Sequence, residues 1–319
     1  MSGLTVGDIL ERKQARLQLE LVRGGEGVGR EVDSPDISSP GLVLAGFTER
    51  FPSNRLQVLG ETEISYLASL DADARKESIE RFYDFDIPAV FVTKGMTIPS
   101  ELGEISEARS IPLIRSDLKT GEFFRRIKPF LEEVFAPTTT IHGSLAGVYG
   151  VGLLFVGSSG IGKSECVLDL VERGHRLVAD DVVQIRRRGV DVLIGEALEQ
   201  QQFHMEIRGI GIIDVRALFG IRSVRQQKRV EVVVQLEPWS DEAAYDRTGL
   251  DIETTEILGV SIPKVIVPLN PGKNITVISE VVAMRHLLRY AGVHSAQLFQ
   301  DNLKRSMQPV REYLEEDYE

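Results

Sequence analysis

Only one cysteine, Cys166, occurs in the 319 residues. No intramolecular disulfide can form, and a zinc centre built from several thiolates is excluded. This usage fits a reducing compartment. Long hydrophobic runs are missing too: nowhere do ~18 apolar residues follow one another, so no membrane span is expected. The first residues soon turn charged, at Glu11, Arg12 and Lys13, so the apolar stretch of a secretory signal is lacking and the cytoplasm is the expected location. Positive charge is in deficit. With 37 Lys and Arg against 48 Asp and Glu, the formal net charge is −11, a poor match to nucleic acid, and no nucleic-acid partner is expected. His142, His175, His204, His286 and His294 are the only histidines, and they show no metal-binding spacing.

What is present is an ordinary globular balance, 42% hydrophobic and 27% charged. The length favours two domains, divided here as a small α/β domain over 1–130 and a second α/β domain over 131–319. In the first, apolar spacing predicts a helix over 6–19, strands at 42–47 and 56–59, helices at 63–70 and 74–82, strands at 89–93 and 112–115, and a helix from about 120. Phe123, Phe124, Ile127 and Phe130 fall at helical spacing and read as core. This half carries no catalytic constellation. Residues 135–140, a proline among polar β-branched residues, form the linker candidate. Beyond it, strands are expected at 151–156, 175–179, 190–194, 229–236 and 265–267, with closing helices at 279–291 and 295–316.

The stretch Gly157-Ser158-Ser159-Gly160-Ile161-Gly162-Lys163-Ser164 satisfies G-x-x-x-x-G-K-[ST] and lies between an apolar strand and a helical pattern. Glycines let the backbone turn its amide hydrogens inward, and the helix N-terminus adds partial positive charge for phosphate oxygens. Lys163 supplies a full charge and the Ser164 hydroxyl can ligate magnesium. Asp180 and Asp181 follow at the end of the next strand, at the sheet edge where ligands of α/β folds bind. One of these carboxylates could hold metal-bound water while the other takes a hydroxyl proton. In the run from Met205 to Asp214, Glu206 is a candidate metal carboxylate and Arg208 a candidate phosphate partner, ahead of Gly209 and Gly211. Arg247, in a polar loop over 245–249, could place a cation on a moving phosphoryl group.

Together these residues resemble the HPr kinase/phosphorylase family. The resemblance rests on the loop at 157–164, His142 with Gly143, Asp180 with Asp181, and the run over 205–220, and it spans essentially the whole chain. It implies a serine kinase that uses ATP or pyrophosphate with magnesium to phosphorylate the phosphocarrier protein HPr, and that reverses the reaction with inorganic phosphate. It further implies Ser164 and Glu206 as magnesium ligands and Asp181 as the group that takes and returns the serine proton. His142, Lys163 and Arg247 would be catalytic, the assembly a homohexamer, and the second domain a P-loop kinase fold similar to the nucleotide-binding core of phosphoenolpyruvate carboxykinase. The last helix, with Leu298, Phe299, Leu303, Met307 and Val310, would reach a neighbouring subunit. One departure concerns Pro268, Asn270 and Lys273: the family usually carries arginine at the position of Asn270, and often at Lys273, so a cation used in the dephosphorylation direction is lost. A small-molecule kinase and a nucleotide-sensing regulator are the alternatives on the same loop.

Overall fold

A computed structural model describes residues 3–240, 253–270 and 273–316. The chain forms two compact α/β units, Met1–Ala136 and Pro137–Glu319. The division falls beyond the helix Thr120–Val134, because Phe123, Ile127 and Leu131 on that helix are fully buried in the core of the first unit.

In the first unit a five-stranded sheet has the order Leu19–Arg23, Leu113–Ser116, Val90–Val92, Leu56–Leu59, Ile37–Ser38. The last four run parallel and Leu19–Arg23 is antiparallel at one edge. Parallel strands are covered on both faces, which explains their unbroken apolar runs. Val58, Phe91 and Ile114 face one layer with Ile9 and Phe123, while Leu59, Val90 and Leu113 face another with Ile79 and Phe82. Residues 42–47, expected as a strand, form instead the one-turn helix Gly41–Leu44. The N–H groups of Leu44 and Ala45 donate to the carbonyls of Pro40 and Gly41 at 3.0 and 3.1 Å, closing a helical turn, and Gly46 at φ +101° ends it.

The second unit holds a six-stranded sheet in the order Arg176–Ala179, Ser144–Val148, Val151–Val156, Val232–Pro238, Val260–Leu269, Thr254–Ile257. The sheet is mixed. Ser144–Val148 runs antiparallel between Arg176–Ala179 and Val151–Val156. Two reversals restore the direction, so Ala179 and Val156 still end at one edge, joined there by the ends of Val232–Pro238 and Val260–Leu269. A four-stranded antiparallel sheet, Gln227–Arg229, Val192–Ala197, Val182–Arg188 and Thr138–His142, shares an apolar layer with one face, where Leu145, Leu154 and Val178 join Val183, Ile185 and Leu193. On the other face Leu153, Phe155 and Val234 pack with Val167 and Leu170 of the helix Lys163–Glu172 and Ala283 of the helix Ile275–Tyr290.

Three further expectations shift. Residues 138–140 of the linker candidate pair in the strand Thr138–His142, as suits β-branched threonines. The strand expected from 190 starts at Val192, because Gly189 at φ +64° and the exposed Val190 make the hairpin turn. Residues 229–236 divide at Val230 and Glu231, where the chain passes from one sheet to the other. Among the described residues no helix is long and apolar enough to cross a membrane.

Candidate active site

The strand Val151–Val156 delivers the loop 157–162 to the carboxyl edge of the sheet, and the helix Lys163–Glu172 starts immediately after it. Gly157, Gly160 and Gly162 take φ of +151°, +77° and +100°, which L side chains rarely adopt. Close approach matters at two of them. A Cβ on Gly157 would stand 2.6 Å from the Leu236 carbonyl oxygen, and one on Gly160 would stand 2.6 Å from both terminal nitrogens of Arg208. Gly160 therefore makes room for a guanidinium that reaches the loop from the hairpin His204–Ile207 and Gly211–Asp214. Ser158 and Ser159 are exposed, and Ile161 packs against the core beneath. Lys163 is buried, its Nζ donating to the carbonyls of Gly157 and Ser158 at 3.1 and 3.0 Å, with no carboxylate paired to it among the described residues. An ammonium held by carbonyls at a helix N-terminus leaves net positive potential, suited to a polyphosphate.

Asp180 is buried beside this helix start. The Ser164 hydroxyl donates to its Oδ1 at 3.0 Å and the Ser144 hydroxyl to the same oxygen at 2.5 Å. Its Oδ2 is buried with no hydrogen-bond partner among the described residues, and burial pushes the carboxyl above its ordinary pKa. Asp181 has the left-handed φ of +64°, so the chain turns and its side chain is exposed. His142 closes the strand Thr138–His142 opposite Val182, and its Nδ1 lies 3.3 Å from Asp181 Oδ1. The Asp181 carbonyl in turn accepts the Gly143 N–H at 3.0 Å. Ser164 thus meets Asp180 beside the loop and Lys163, and His142 meets Asp181 where the chain passes from the six-stranded to the four-stranded sheet. Neighbouring carboxylates have different environments, one dry and bonded to hydroxyls, the other open and beside an imidazole.

The remaining residues divide. Met205 and Ile207 face the core while Glu206 between them is exposed and makes no side-chain hydrogen bond or ion pair among the described residues. Gly209 and Gly211 take φ of +84° and +100° in the hairpin turn, and Asp214 caps the short helix Val215–Phe219 by accepting the Ala217 N–H at 2.9 Å. Pro268 lies in the strand that ends at this same edge; its carbonyl accepts from Lys273 Nζ at 3.0 Å, and that ammonium sits 5.7 Å from the Trp239 ring centre. Asn270, just past the strand end, has a buried Oδ1 without a partner among the described residues. Arg247 and the rest of 245–249 lie outside the described residues, as do the side chains of Met307 and Val310. Ser144 is the residue that sequence reasoning misses. Its one signal is a polar residue opening an otherwise apolar strand two positions after His142.

Among the described residues no three His, Cys, Asp or Glu side chains converge on a metal position. That does not suit zinc, but it does suit magnesium, which takes one or two carboxylate or hydroxyl oxygens and fills the rest of its shell with phosphate and water. Ser164 Oγ and the orphaned Oδ2 of Asp180 are such hard donors.

Family models match almost end to end: the HPr Serine kinase N terminus over residues 4–131 and the HPr Serine kinase C-terminal domain over 133–303. The chain belongs to the HPr serine kinase family. Among curated members, the HPr kinase/phosphorylase of Halalkalibacterium halodurans is 45% identical over 95% of this chain and 96% of its own. The HPr kinase/phosphorylase of Geobacter sulfurreducens is 45% identical over 96% of each. A solved HPr(Ser) kinase/phosphatase from Coxiella burnetii covers 50% of this chain and 98% of its own at 34% identity, with a TM-score of 0.46.

Proposed function

We propose that this protein phosphorylates a serine of the phosphocarrier protein HPr, with ATP or pyrophosphate as donor and magnesium as cofactor, and that it removes the phosphoryl group with inorganic phosphate to form pyrophosphate. The observation that carries the reading is a buried Lys163 on the loop, with the next residue, Ser164, bonded to Asp180, and beside Asp180 an exposed acid, Asp181, that an incoming protein side chain can reach. HPr as acceptor follows from the names of relatives 45% identical over nearly their whole length.

Each residue then has a task. The amides of 157–162 and Lys163 hold the donor phosphates, and Arg208, lying on the loop at Gly160, adds a second cation. Asp181 takes the serine proton as the serine oxygen attacks the terminal phosphorus and the bond to the bridging oxygen breaks; in reverse it returns that proton to the departing serine oxygen. His142 beside it holds the carboxylate in place. Ser164 and Asp180 would hold magnesium, with Glu206 as a further ligand. Bound there, magnesium would neutralise phosphate charge. Arg247 completes the catalytic set as a cation on the moving phosphoryl group. Asn270 removes a cation expected in the phosphorolysis direction, which makes that direction the weaker one.

We further read the second unit as a P-loop kinase fold like the nucleotide-binding core of phosphoenolpyruvate carboxykinase, the assembly as a homohexamer and the location as cytoplasmic. The deciding experiment incubates the purified protein with magnesium-ATP and HPr, then weighs HPr intact. HPr should gain one phosphoryl group and lose it when phosphate replaces ATP. If HPr stays unmodified at ample concentration while a small metabolite is labelled, the small-molecule kinase reading replaces this one.

A further inference from the structure

The Asp180 carboxylate treats its two oxygens unequally. Both hydroxyls that reach it, from Ser144 and Ser164, donate to Oδ1, while Oδ2 is buried and bare. Other buried serines, such as Ser78 at Leu44, Ser106 at Ile111 and Ser116 at Leu17, donate to main-chain carbonyls. Ser144 is wholly buried and instead meets a carboxylate, at 2.5 Å. Its place is set by the strand Ser144–Val148, where it pairs with Phe155, two residues ahead of Gly157 on the strand that carries the loop.

We propose that Ser144 is a positioning residue: it pins Asp180 so that Oδ1 takes the Ser164 proton and Oδ2 is left for a magnesium ion or its water. A hydroxyl that ligates a cation does so through a lone pair, so its proton needs an acceptor pointing away from the metal. Asp180 Oδ1 is that acceptor, and the donation from Ser144 keeps it from rotating. Groups that orient metal ligands in this way are worth about 10–100-fold in metal affinity.

This inference rests on the reading of 157–164 as a magnesium-polyphosphate loop. The test is calorimetric binding of pyrophosphate to the full chain, with magnesium and then with EDTA. Wild type should bind more tightly with magnesium. Ser144→Ala should lose about tenfold of that enhancement and leave binding in EDTA unchanged. Ser144→Cys, close to serine in size but a poor donor, should lose it likewise and carries the test if the alanine variant does not fold; Ser144→Thr, which keeps a hydroxyl, should retain most of it. Wild-type enhancement in both Ala and Cys variants overturns the proposal. So does an equal loss of binding with and without magnesium, which marks a packing defect. A wild-type protein with no magnesium enhancement at all overturns the loop reading itself.

Discussion

Lys163 and Asp181 lie at one edge of the same sheet, yet their substitution should give different kinetic signatures. Lys163 is buried against the loop carbonyls, so Lys163→Ala removes the charge proposed to hold phosphate in either direction. Nucleotide and pyrophosphate binding should both be lost, which titration with each ligand would detect. Asp181 is exposed and turned away from Asp180 by its positive φ, in keeping with its proposed action on the acceptor rather than the donor. Asp181→Asn should lower kcat by about 10²–10⁴-fold, as for a lost general base, with ATP affinity retained. A matching loss of ATP affinity would move Asp181 into the metal shell. The loop residues were legible from sequence because each glycine answers to a backbone requirement visible in the spacing. The division of labour between Asp180 and Asp181 was only half legible: adjacency implied two directions, but not which carboxylate is dry. Ser144 was not legible at all, since its meaning comes from a carboxylate 36 positions away.

The helix that starts at the loop is anchored at its other end. Arg173, just past Lys163–Glu172, donates from Nε and Nη2 to the two oxygens of Glu280 at 3.0 and 2.6 Å. His175 Nε2 lies 3.0 Å from the same carboxylate and Tyr149 OH 3.3 Å, so a helix end, a strand start and a turn are tied to the helix Ile275–Tyr290. Glu280 is buried, and Arg173 first, then His175, pull its pKa from 4.5 to about 2. A carboxylate depressed in the folded state stabilises fully above its ordinary pKa and loses that contribution as pH falls through the folded value. Glu280→Gln should therefore destabilise the protein by about 3 kcal/mol at neutral pH, the low end for a broken buried pair because Arg173 is half exposed. The gap between wild type and variant should close between pH 4.5 and about 2 in urea unfolding; a gap that stays constant there would assign the loss to packing. Elements with long periodicity, such as Thr120–Val134 and Ile275–Tyr290, were readable from sequence to within a few residues. Short apolar runs were not. Residues 42–47 could bury one face as a strand or as a single helical turn, and only the surrounding core decides.

At the scale of the whole molecule, the helix Ile275–Tyr290 carries more apolar surface than its own fold uses. Thr276, Ser279, Glu280 and Ala283 are buried, while Val277, Val281, Met284 and Leu288 are 42–56% exposed. At 100° per residue those four fall within roughly 60° of one another, a continuous stripe rather than scattered exposure. Leu298, Phe299 and Leu303 expose more on the helix Ser295–Glu316. Single exposed leucines need no explanation, but a stripe four residues long is what a helix presents to a partner. The homohexamer proposed above supplies one, a second copy of this chain. Composition could not reveal this, because the stripe adds to an apolar count that an ordinary core already explains. The variant Val281→Glu with Met284→Glu places two charges on the stripe without touching the buried face. Its sedimentation mass should fall from that of the assembly toward a single chain, while the melting transition stays cooperative. Because His142, Lys163, Ser164, Asp180 and Asp181 all come from one chain, pyrophosphate binding should survive dissociation. Phosphorylation of HPr should fall if the last helix of a neighbour helps to hold it, so binding and turnover would separate. An unchanged mass would remove the stripe from the interface.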